Sequence, residues 1–93
     1  MENKISTERL DKYFDLTRRA LEKVKITDKD PRLAEDFLDM AKRYFEDAKH
    51  FRDKGDIVTA FAAVTYAHAW LDAGARSKLF DVGGDSELFV VDE

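Results

Sequence analysis

At 93 residues and 10.7 kDa the chain makes one domain, and surface scaling leaves about 65% of its unfolded surface to bury, enough for one modest core and not two. With 44% hydrophobic residues, seven Phe, three Tyr and one Trp it can fill that core unaided, and the absence of Cys excludes disulfides and thiolate zinc sites. Sixteen basic against 20 acidic residues leave a net charge of -4, which disfavours bulk binding to a nucleic-acid backbone.

No apolar run approaches the roughly 18 residues of a membrane span and nothing resembles a secretory leader, so a cytoplasmic protein with no membrane partner is expected. One Asn (Asn3) and no Gln beside abundant Lys, Arg, Asp and Glu is the direction composition takes in heat-adapted proteins, and a thermophilic source is expected.

The first periodic segment opens at Ile5-Ser6-Thr7-Glu8. Ser6 is placed to cap a helix and Ile5 to staple onto Leu10. Leu10, Tyr13, Phe14, Thr17, Ala20, Leu21 and Val24 recur at three-and-four spacing, which predicts a helix over 7–25. Residues 26–30 read as a short polar connection. Asp30-Pro31 then restarts a helix, with Asp as cap and Pro at its first position.

The second helix, over 31–54, carries a stripe from Ala34 through Phe37, Ala41, Phe45 and Ala48 to Phe51. Gly55 can close it in the left-handed conformation while Asp56 caps the next, so helices two and three are antiparallel neighbours. Helix three, over 57–79, is apolar or small nearly all the way round, which marks it as the central element. The Gly55-Asp56 turn between Ala-rich helices suggests a tetratricopeptide unit, but one helical pair is too few for such an array.

After Phe80 the pattern breaks at Gly83-Gly84, and residues 81–93 carry five acidic side chains and no Lys or Arg. This reads as a loosely tethered acidic tail. Its β-prone Leu88-Phe89-Val90-Val91 run is open to three fates: disorder, folding back on the bundle, or pairing with a partner's edge. The fold class is therefore all-α, an antiparallel three-helix bundle over 1–80 with a short acidic C-terminal tail over 81–93.

Four constellations invite chemistry. His68, Asp72 and Arg76 stand one helical turn apart, which suits a base oriented by a carboxylate or a hydrogen-bonded histidine beside a structural ion pair; the second is favoured because no nucleophile or phosphate-cradling loop accompanies them. Glu46 and His50 repeat the spacing on helix two, so a Glu46/His50/His68/Asp72 metal cage can be drawn, although His50 falls on the outward side. Arg43 and His50 form an Arg-x6-His spacing that resembles helical-bundle ribonucleases of the HEPN type, but Arg43 sits between Asp39 and Asp47 at i,i+4 as in a solvated ladder. Lys and Arg at 18, 19, 23, 25, 29 and 32 crowd the first connection; a solvated helix end that compensates the dipole is the favoured reading, and docking of an acidic partner or of the acidic tail is the other.

From Asp47 to Phe80 the string DAKHFRDKGDIVTAFAAVTYAHAWLDAGARSKLF resembles the archaeal domain-of-unknown-function family number 357, in the Gly55-Asp56 turn, the Tyr66-Ala67-His68 stretch and the run from Leu71 to Arg76. The resemblance implies a small all-helical bundle from an archaeal cytoplasm and supplies no activity, cofactor or catalytic residue.

The expected function is a non-catalytic interaction or scaffold domain with no catalytic, cofactor or metal residues. The alternative is a small helical-bundle ribonuclease or metal-dependent hydrolase using His50 or His68. The candidate interaction surface is Ala62, Tyr66, Ala69 and Ala73, with Asp72 and Arg76 as the charged pair of the same helix. Either the tail plugs this face through Leu88, Phe89 and Val90, or a second subunit covers it in a two-fold contact around Tyr66. The homodimer is favoured, because a tail starting Gly83-Gly84 loses much backbone entropy on docking.

Overall fold

The computed structural model describes residues 6–90, so the Ile5 staple and residues 91–93 lie outside the described residues. Three α-helices, α1 (Thr7–Lys23), α2 (Pro31–Asp53) and α3 (Ile57–Arg76), form an elongated bundle of 44 × 24 × 20 Å. α3 packs along both others while α1 and α2 touch little, so α3 is the spine, as its apolar circumference requires.

The helix starts follow the caps. The side chains of Ser6, Asp30 and Asp56 accept from the backbone N–H groups of Arg9, Leu33 and Thr59 at 3.1, 3.2 and 3.1 Å. Between α2 and α3, Gly55 (φ 82°) donates to Arg52 and the Asp56 N–H to Phe51, the paired bonds of a Schellman motif. Asp56 therefore ends one helix and caps the next, which makes the connection tight and the two helices antiparallel.

Three expectations are corrected. α1 stops at Lys23 rather than at 25, because Lys25–Ile26 (β1) leaves the helix to pair antiparallel with Phe80–Asp81 (β2), Lys25 opposite Asp81 and Ile26 opposite Phe80. α3 ends at Arg76 rather than at 79. There Lys78 adopts φ 68°, and bonds from Leu79 to Gly74 and from Lys78 to Ala75 close a second Schellman motif without a glycine. A left-handed lysine costs about 1–2 kcal/mol; the reversal it permits buries Leu79 and Phe80, which offsets more than that.

The tail is not loosely tethered over its described part. Val82, Leu88 and Phe89 are buried, and they join Ala20, Ala34, Ala41, Leu71, Leu79 and Phe80 in the core at one end of the bundle. The other end is filled by Leu10, Phe14, Phe45, Ala48, Ala60, Val64 and Ala67. Phe61 is half-buried at the rim, its ring edge-on to Tyr13 at 5.3 Å.

Candidate functional site

Two faces of α3 carry the residues that the sequence singles out. The first looks into the seam between α1 and the tail. There the His68 Nε2 lies 2.6 Å from the carbonyl oxygen of Leu88. A carbonyl only accepts, so Nε2 carries the proton and donates it, while Nδ1 is hydrogen-bonded to the Thr17 hydroxyl 2.9 Å away. Thr17 is wholly buried, and α1 thus orients the histidine from behind while the tail engages it from the front. With both nitrogens engaged the ring offers no lone pair to a substrate.

Asp72, one turn further along, stands 3.9 Å from His68 Nε2 and accepts the Val90 N–H at 3.0 Å. Asp72 thereby ties the tail backbone to α3. Thr17→Val keeps the shape and deletes the hydroxyl, leaving the partly buried His68 Nδ1 without this partner. The expected loss is about 1–3 kcal/mol of unfolding free energy, measured by urea titration, and a change near zero would show that the hydroxyl does not hold the ring.

The basic side chains around the first connection meet acids of their own chain. Arg18 pairs with Asp15 at 2.8 Å and Glu22 at 3.1 Å, Arg19 with Asp15 at 3.5 Å and Glu87 at 3.6 Å, and Lys23 with Asp85 at 3.8 Å. The Arg18 guanidinium holds the Asp15 carboxyl below its ordinary range, and Arg19 adds to this. Glu87 and Asp85 belong to the tail, so part of this cluster docks the tail.

The second face of α3 lies outside the seam and is bordered by α2. Ala62, Tyr66, Ala69 and Ala73 are exposed together there, as is Val58 near the start of the helix. Tyr66 is 48% exposed, its ring edge-on to Tyr44 of α2 at 4.5 Å. Between the helices lies a shallow, mostly apolar hollow of about 380 Å³ lined by Tyr44, Phe51, Thr59, Ala62 and Tyr66, with Asp47 at its edge. Leu88 and Phe89 do dock, but in the seam rather than here, so the tail's described part leaves this face open. Asp72 also faces the seam; Arg76 is exposed at the end of the helix.

The remaining candidates are not brought together. His50 is exposed on α2 against its neighbour Phe51, well away from His68 in the seam, and Glu46 pairs with Lys49 at 2.8 Å. Arg43 pairs with Asp39 at 2.8 Å on the solvent side. Among the described residues no group of three or more His, Asp or Glu side chains is placed to hold a metal ion. No helix there is long and apolar enough to cross a membrane.

Sequence reading missed the partnership of Thr17 with His68. Thr17 entered it only as a position in the α1 stripe; a hydroxyl in a buried stripe, with a histidine on the neighbouring helix, was the available signal.

No curated protein and no solved structure matches the chain. The model of one family does match, over residues 12–80, which takes in α2, α3 and all but the first five residues of α1 and stops where the tail begins. The chain therefore belongs to the family described as "Protein of unknown function (DUF357)".

Proposed function

We propose that this domain is a non-catalytic interaction module, that the outer face of α3 is its docking surface, and that the partner is a second copy of the chain. The supporting observation is the uncharged run of 15 residues from Ile57 to Leu71, whose outer positions Val58, Ala62, Tyr66 and Ala69 are left exposed. Thr65 turns its hydroxyl back to the carbonyls of Phe61 and Ala62 at 3.0 Å, so the flank of the stripe asks no hydrogen bond of a partner.

Charge selects the occupant. Asp53 and Asp56 stand at the N-terminal end of the stripe and Arg76 and Lys78 at its C-terminal end, with Asp56 and Arg76 about 30 Å apart along a helix rising 1.5 Å per residue. Two copies packed antiparallel about a two-fold axis set each acidic end against a basic end. They also oppose their helix dipoles, and the three alanines let the backbones approach to about 8 Å. Composition and family resemblance support a heat-adapted archaeal cytoplasm as the setting.

Light scattering over a concentration series tests this reading. The full chain should run as a dimer. Tyr66→Glu, which places a charge at the centre of the contact, should run as a monomer with unchanged helical circular dichroism. A wild-type chain that stays monomeric at the highest attainable concentration removes the dimer.

A further inference from the structure

The seam between α1 and α3 holds the tail differently from the way the helices hold one another. Between the helices the contacts are mainly apolar side chains, with Thr17–His68 as a polar exception; in the seam two polar side chains of α3 address the tail's main chain. His68 donates to the Leu88 carbonyl and Asp72 accepts from the Val90 N–H. Main-chain contacts flanking two buried anchors, Leu88 at 6% and Phe89 at 3% exposure, are the means by which a groove captures a peptide. Arg19 and Lys23 on the α1 wall add charge selection through Glu87 and Asp85.

The captured segment is organised on its own account. The Asp85 carboxylate accepts from the N–H groups of Glu87 and Leu88 at 3.0 and 3.1 Å, and the Asp85 carbonyl from Phe89 at 3.2 Å, a capped turn that presents Leu88 and Phe89 side by side. It hangs from Gly83 and Gly84, both exposed and at φ 66° and 70°, a tether with little side-chain anchorage. On the groove wall, buried Thr17 orients His68 from the α1 side, a bond that does not involve the segment.

We propose that this seam is a peptide-recognition groove occupied by its own C-terminal segment. Its exchangeable ligand is an acidic partner segment of the pattern Asp-x-Glu-Leu-Phe, which takes the places of Asp85, Glu87, Leu88 and Phe89. This groove and the outer face of α3 are separate surfaces, and neither proposal rests on the other. The resident segment, tethered by a short link at millimolar effective concentration, holds the groove closed to weak competitors.

The test uses the full chain carrying Leu88→Asp and Phe89→Asp, which ejects the segment, and a fluorescent peptide of residues 84–93, GDSELFVVDE. Anisotropy should show saturable binding to the variant, at least about tenfold tighter than to the wild-type chain, whose groove is filled. Adding Arg19→Glu and Lys23→Glu to the variant should weaken that binding about tenfold or more, and a peptide with Asp in place of Leu-Phe should not bind. A folded double variant that binds no peptide overturns the proposal. So does a double variant that loses its helical circular dichroism, because the segment is then a fixed part of the core rather than a ligand.

Discussion

Replacing Phe80 with alanine is expected to cost about 3–5 kcal/mol, and Gly74→Ala about 1–3 kcal/mol, yet the two costs should not add. Phe80 is 3% exposed and folds back across the last turn of α3, so that a Cβ built on Gly74 overlaps its ring. In the wild-type background Gly74→Ala therefore pushes a buried aromatic ring out of place. Once Phe80 is alanine the obstruction is gone, and alanine is favoured over glycine within a helix by about 0.8–1.0 kcal/mol. Gly74→Ala should then stabilise. Urea midpoints of the four proteins measure the coupling, and an equal cost of Gly74→Ala in both backgrounds would mean that Phe80 lies elsewhere.

Leu71→Ala is the second large effect, at about 2–5 kcal/mol from lost transfer energy and the cavity left behind. Leu71 is wholly buried in the core that joins α1, α2 and the tail, and no single neighbour can relax into the space. Phe61, three turns earlier on the same helix, is the contrast: half-buried against Tyr13, its truncation to alanine should cost less despite the larger side chain. Thermal or urea unfolding of the pair decides it. A larger loss at Phe61 than at Leu71 would place the core at the wrong end of α3.

What was legible in the chain was local. Ser6, Asp30-Pro31 and Gly55-Asp56 mark helix starts and stops by side-chain chemistry within four residues of where they act, and the apolar circumference of α3 names the central helix without knowledge of its neighbours. What was not legible lies across distance. Lys25–Ile26 and Phe80–Asp81 are too short to show alternation, and each is a strand only because the other lies beside it. Lys78 adopts a conformation ordinarily left to glycine, because the reward is the burial of Leu79 and Phe80 beyond it.

The candidate site divides along the same line. The exposed set Ala62, Tyr66, Ala69 and Ala73 shares a face by helical periodicity alone, which the sequence displays. Thr17 and His68 are 51 residues apart, and Asp72 meets Val90 eighteen residues on, so no spacing rule connects them. Gly83-Gly84 and the acidic run suggested a solvated tail because the entropy lost on docking is visible in the residues. The compensating burial of Leu88 and Phe89, with Arg19 and Lys23 waiting on α1, is visible only in the folded chain.

That α1 touches α2 little and α3 throughout has a consequence for vectorial synthesis. Fifty-three residues separate the end of α1 from the end of α3, and at about 5–20 residues per second the ribosome takes about 3–11 s to deliver the surface on which α1 packs. For that interval Leu10, Phe14 and Ala20 face water on a helix with no partner. The Asp15–Arg18–Glu22 ladder on its opposite side supports helix within α1 itself and keeps that side charged. The nascent segment thus carries its own protection against association until α3 emerges.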